Sequence, residues 1–147
     1  MKTNNFPNWL VPVKLAKKLK KIGFDAETLF LYNEEEPKNP KIFLGLENEE
    51  ISSSDIEIGD LYFYKEADME SYECILPTWE QVFEWFREKG LVAVIVTNEI
   101  LNEGDPLYFP SVDDLDGDYY TLDNYYTYEE ARVAVLSKLI ELYGNGI

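Results

Sequence analysis

The sequence contains no histidine. That removes the usual general base at neutral pH and the commonest metal ligand, and with them Ser-His-Asp and Cys-His arrangements. It contains one cysteine, Cys74, which can close no internal disulfide, so nothing points to a secreted disulfide scaffold. Cys74 stands between Glu73 and Ile75 on an expected strand, where negative neighbours and burial both work against a nucleophilic thiolate; a structural role is expected. Glycines are sparse, and Gly45, Gly59 and Gly104 are too isolated to form a phosphate-cradling loop. No apolar run reaches the length needed to span a bilayer. The first residues, Met1-Lys2-Thr3-Asn4-Asn5, lack the apolar centre of a signal peptide, and the cytoplasm is the expected location.

Positive charge is the other scarcity. The net charge of the 147 residues is −16, and its distribution is uneven. Residues 1 to 24 carry six lysines and no acid. Residues 25 to 76 carry three basic and fifteen acidic residues, and residues 77 to 147 carry four and fourteen. A body of this charge repels phosphate backbones and anionic membranes, which argues against direct nucleic-acid binding and against a membrane partner. Only the first helix, through Lys14, Lys17, Lys18 and Lys21, could attract them. The competing role for that lysine face is to lie near the protein's own carboxylates and relieve their repulsion.

What is abundant is apolar and aromatic. Hydrophobic residues make up 46% and aromatic residues 15%, with eleven tyrosines, which suits a packed core with much sheet. Pro12 to Ile22 reads as a helix with Leu15, Leu19 and Ile22 on one side, stopped by Gly23. Thr28 to Asn33, Lys41 to Glu47, Leu61 to Lys65 and Tyr72 to Leu76 read as strands. Thr78 and Gln81 form a capping box for a second helix that runs to Lys89 and stops at Gly90. Leu91 to Thr97 is a continuous apolar run expected to be a strand buried on both faces. Leu107 to Val112 and Asp118 to Tyr126 follow as strands. Thr127 and Glu130 cap a last helix whose buried stripe is expected at Val133, Leu136, Ile140 and Tyr143.

The fold class is therefore α+β, with three helices and five to six mostly antiparallel strands in the order helix, strands, helix, strands, helix. The chain fits one domain, divisible into subdomains 1–76 and 77–147. Both halves run helix, glycine, strand, which admits a duplicated unit, but the intervals differ and the construction is common. The second half has the element order of double-stranded-RNA-binding domains. Those need basic residues to meet phosphate, and this half is acidic.

No catalytic constellation or cofactor site is visible, and the chain reads as non-enzymatic. The densest acidic run, Asp113-Asp114-Leu115-Asp116-Gly117-Asp118, offers Asp114, Asp116 and Asp118 as a weak metal candidate. The calcium-loop register fails, because Val112 takes the first ligand position and Asp123 the last. The ordinary role of such a run is a solvated loop that discourages edge pairing. Paired tyrosines at 119–120 and 125–126 put one ring outward on a strand, so Tyr119 and Tyr125 are candidates for an interface, as are Lys14 and Lys18.

Three stretches carry a resemblance. They are Leu15-Ala16-Lys17-Lys18-Leu19 with Gly23-Phe24, Leu76-Pro77-Thr78-Trp79-Glu80-Gln81-Val82 with Trp85-Phe86-Arg87-Glu88-Lys89, and Tyr126-Thr127-Tyr128-Glu129-Glu130-Ala131 with Leu136. In these the chain resembles a group of short, uncharacterised proteins encoded by gut-bacterial genomes, often in prophages and phages. The resemblance spans most of the chain, implies a β-hairpin after the second helix, and carries no activity or functional residue over. The acidic stretch at Ser52 to Asp55 departs from it. The expected function is an acidic interaction protein that binds a basic host or phage protein, with a nucleic-acid mimic as the concrete version. The alternative is a small sugar-binding or hydrolytic domain using Asp113 to Asp118 and nearby tyrosines. A monomer or weak homodimer is expected.

Overall fold

A computed structural model describes residues 6–33, 41–45, 61–98 and 107–145. It is mixed α+β in the expected order and divides into two compact units, Met1–Gln81 and Val82–Ile147.

The first unit holds α1 (Val13–Lys21), β1 (Phe30–Asn33), β2 (Lys41–Leu44) and β3 (Glu73–Leu76), with the antiparallel order β2-β1-β3. The register pairs Phe30 with Leu44 and Leu76, and Tyr32 with Ile42 and Cys74. Because paired residues share a face, Phe30, Tyr32, Ile42, Cys74 and Leu76 form one apolar surface. It packs with Leu10, Val13 and Ala16 in a single cluster. α1 buries Leu15, Ala16 and Leu19 and leaves its lysines in water. It ends in a Schellman turn, in which the Phe24 N–H donates to Leu19 O and the Gly23 N–H to Lys20 O. Gly23 adopts φ +93° there, a conformation that suits a residue without Cβ. Phe24 folds back and is 2% exposed.

Leu61 to Lys65 is not a strand. It touches the unit through isolated bridges, in which Thr28 and Tyr64 exchange hydrogen bonds and the Tyr62 N–H donates to Gly45 O. The Gly45 Cα lies so close to Tyr62 that a Cβ would run into the Tyr62 carbonyl oxygen. The approach that glycine permits replaces a regular ladder at this point.

α2 (Trp79–Glu88) carries the boundary between the units. Its capping box is present, with the Gln81 N–H donating to Thr78 Oγ1 at 3.2 Å and the Thr78 N–H to Gln81 Oε1 at 3.3 Å.

The second unit holds β4 (Leu91–Asn98), β5 (Leu107–Asp114), β6 (Tyr119–Thr121) and α3 (Tyr128–Gly144), with the antiparallel order β4-β5-β6. In the first unit the strand that follows helix and glycine is central; here β4 is an edge strand. The two units therefore differ in topology, which argues against duplication. The buried face carries Leu91, Pro110 and Val112, and α3 packs on β5 and β4. β4 is not buried on both faces: Leu91 is buried, Val92 to Ile95 are half-buried, and Val96 and Thr97 are exposed. α3 packs on this sheet, and burial along β4 falls from Leu91 toward Thr97, unlike the continuous burial of a strand covered on both faces.

The stripe that α3 buries also differs from expectation. It consists of Ala131, Val135, Leu136, Leu139, Ile140 and Leu142, while Val133 is 39% exposed. Apolar residues occur on more than one side of this helix, so spacing alone fits two stripes.

Candidate functional site

The strand expected over Asp118 to Tyr126 is interrupted, and the interruption positions a side chain. From Asp113↔Tyr119 to Ser111↔Thr121 the β5–β6 register is regular. Pro110 then accepts from the Leu122 N–H at 3.2 Å and has no N–H to return. The next bridge joins Tyr108 to Tyr125, one residue further along the second strand than the regular register would give. This is a bulge of one residue. It places Tyr125 opposite Tyr108, on the face that meets α3. The Tyr108 ring packs edge-on against Tyr128, centroids 6.1 Å apart.

Beside this bridge lies an open depression of about 450 Å³ lined by Tyr125, Glu129, Glu130, Val133 and Ala134. Val133, Ala134 and the Tyr125 ring give it apolar walls, and the two carboxylates come from the first turn of α3. That turn is well fixed: the Glu130 N–H donates to Thr127 Oγ1 at 3.1 Å, and the Thr127 hydroxyl donates to Glu130 Oε1 at 2.9 Å. The carboxylates also complement the partial positive charge of the helix start.

The cations of this unit are disposed in a recurring way. It has four, Arg87, Lys89, Arg132 and Lys138. Lys89 Nζ lies 4.9 Å from the Trp85 ring centre, the Arg132 guanidinium 5.5 Å from Tyr128, and Lys138 Nζ 5.6 Å from Tyr120. Lys138 also meets Glu141 at 2.9 Å. The Arg132 pKa is lowered by partial burial, opposed by the charges of Tyr128 and Glu129. Three of four cations thus rest on ring faces, and two of them, Arg132 and Lys138, also interact with a glutamate, so the four leave most of the thirteen acids of this unit unbalanced.

The acidic run forms a tight hairpin turn. The Asp114 N–H donates to Asp118 O at 2.7 Å, the Gly117 N–H to Asp114 O at 2.9 Å, and the Asp116 N–H to Asp114 Oδ1 at 2.8 Å. One carboxylate is therefore occupied in shaping the turn, while Asp113, Asp116 and Asp118 face solvent. Among the described residues no group of three or more Asp, Glu or Cys side chains could hold a metal ion, Asp114, Asp116 and Asp118 included.

Of the candidate interface residues, Tyr119 sits on β6 and is 68% exposed, its neighbour Tyr120 turning inward beneath Lys138. Tyr125 lines the depression; Tyr119 does not. Lys14 and Lys18 are exposed on α1 in the first unit. In the same unit Lys20 pairs with Glu66 at 3.0 Å and Lys65 with Glu27 at 3.6 Å. Glu129, Glu130, Val133 and Ala134 were not separable as site residues by pattern, although the surplus of apolar residues around α3 was the available signal. Cys74 is buried, its Sγ 3.4 Å from Ile75 O.

No helix among the described residues is long and apolar enough to cross a membrane. No family model, curated protein or solved structure matches the chain, so the resemblance to short proteins of gut bacteria and their phages rests on the three sequence stretches alone.

Proposed function

We propose that this chain is a non-enzymatic acidic binding module that engages a basic protein partner. One observation carries the reading. The four cations of Val82–Ile147 are outnumbered by thirteen acids in sequence, and three of those cations lie on aromatic rings. The carboxylates of Asp113, Asp116, Asp118, Asp123, Glu129 and Glu130 face water. Tyr119 and Tyr126 stand out beside them, 68% and 72% exposed. Dense carboxylates attract a cationic groove, and exposed tyrosines supply contact area at low entropic cost. A mimic of nucleic acid, occupying the basic groove of a DNA-handling protein, is the version consistent with a phage-type origin.

The test is capture on the immobilised chain from a cell lysate, followed by elution with salt or with duplex DNA. The reading expects basic proteins retained at low salt, released as ionic strength rises and displaced by DNA. Retention of none at low salt defeats it, and retention unaffected by DNA defeats the mimic.

The alternative, a small sugar-binding or hydrolytic domain, draws on the α3 depression, whose lining includes Tyr125, Glu129 and Glu130. A saccharide that shifts the Tyr125 resonances in a titration would favour it.

A further inference from the structure

The depression beside Tyr125 is more selective than a charged surface. We propose that it receives the side chain of a single arginine from the partner, the stem lying on Val133 and Ala134 and the guanidinium stacking on Tyr125 between Glu129 and Glu130. The inference rests on the reading of the chain as an acidic binding module and names the group recognised at that site.

Four observations converge on it. First, the lining is almost wholly apolar, and the two residues that complete it beside Tyr125, Val133 and Ala134 are Glu129 and Glu130, which suits a side chain with an aliphatic stem and a cationic head. Second, this unit already seats its own Lys89, Arg132 and Lys138 on aromatic rings. Among the described residues no cation lies over Tyr125. Third, the wall residue Val133 is 39% exposed on a helix whose core contacts are made by other residues. An apolar side chain that the fold does not bury is available to a ligand. Fourth, the local charge stays negative. Glu129 and Glu130 contribute two charges, and exposed Asp123, two residues before Tyr125, a third. Against them stand Arg132, which interacts with Glu129, and about half a charge from the helix start.

A planar guanidinium fits better than an ammonium, because it stacks on a ring while its edge donors reach carboxylates. The about 450 Å³ of the depression accommodates one such side chain and not a folded element. The partner chemistry is therefore an arginine presented from an exposed segment.

The experiment is a two-dimensional NMR titration of the full chain at low salt, using a blocked peptide of three arginines spaced by glycines. The same peptide with citrulline in place of arginine removes the charge and keeps the shape. The expected result is shifts centred on Tyr125, Glu129, Val133 and Ala134 with the arginine peptide and none with citrulline. Ala134→Lys and Glu84→Gln each raise the net charge by one, and Glu84 is exposed on α2. Ala134→Lys should weaken binding by about tenfold, and Glu84→Gln by less than about twofold, as specific and diffuse electrostatics respectively require. Shifts in the unmodified chain do not depend on how the variant folds. Arginine-dependent binding whose shifts lie elsewhere, or that both variants weaken equally, overturns the subsite and leaves the acidic-module reading standing. No binding of the arginine peptide, together with no lysate protein retained, overturns both.

Discussion

Tyr108 and Tyr125 exchange both of their main-chain hydrogen bonds, N to O at 2.8 and 2.9 Å. This pair is the narrow clasp that holds the segment after β6 against the central strand. Tyr125→Ala keeps the clasp and removes the ring, whereas Tyr125→Pro deletes one donor and leaves the Tyr108 carbonyl without it. Chemical denaturation should find Tyr125→Pro the less stable of the two by about 1–3 kcal/mol. Equal stability of the two variants would show that the clasp contributes nothing.

α3 supplies a second prediction. Leu139 is fully buried and Val133 is 39% exposed. Leu139→Ala should cost about 2–5 kcal/mol through lost burial and a cavity. Val133→Ala should stay within about 0.5 kcal/mol, as surface substitutions do. Urea midpoints of the two variants test this directly, and a reversed order would restore the stripe expected from spacing.

Two glycines are needed for different reasons, and alanine separates them. At Gly90, φ is +89° with no atom near a built Cβ, so Gly90→Ala carries only the backbone penalty, about 1 kcal/mol. At Gly45 the added methyl meets the Tyr62 carbonyl, and the Tyr62–Gly45 hydrogen bond must break or shift. Thermal unfolding should place Gly45→Ala below Gly90→Ala. In addition, Tyr62 should lose amide-exchange protection in Gly45→Ala alone.

The start of α3 depends on Thr127, which accepts from the Glu130 N–H. Thr127→Ala should cost about 1 kcal/mol and Thr127→Ser much less, since serine retains the accepting oxygen. Guanidinium titrations of both variants would show it; similar losses would mean that the methyl group, not the hydroxyl, matters here.

With a net charge of −16, the folded state opposes its own charge. Raising salt from low to physiological levels should raise the melting temperature, because repulsion between exposed carboxylates is screened. A falling midpoint over that range would mean that ion pairs such as Lys20–Glu66 and Lys138–Glu141 outweigh the repulsion.

The helices were legible because their ends carry chemistry that acts within a few residues: Thr78 with Gln81, Thr127 with Glu130, and Gly23 and Gly90 after the last turns. The strands were legible less evenly. Leu61 to Lys65 has strand composition, yet it makes bridges rather than a ladder, and its contact with Gly45 depends on a segment distant in sequence. Leu91 to Thr97 reads as doubly buried by its run of apolar residues, but burial depends on what covers each face. In the candidate site, Tyr125 was visible as one of a tyrosine pair. Its separation from Tyr119 was not, because the register slip, an extra residue between Leu122 and Tyr125, shows only once the pairing with Pro110 and Tyr108 is known. Lys41 to Glu47 extends past the described residues, as does the acidic stretch at Ser52 to Asp55.

That slip has a consequence for how the chain tolerates change. Side chains alternate along a strand, so one inserted residue inverts which of them look toward the helix. If the ladder past Pro110 kept its spacing, Tyr108 would sit opposite Asn124, and the Tyr125 phenol would point away from α3. The extra residue between Leu122 and Tyr125 therefore sets which side chains of this segment face the helix. A single-residue insertion or deletion between Thr121 and Tyr125 would act as a switch of surface chemistry, not as an adjustment of loop length.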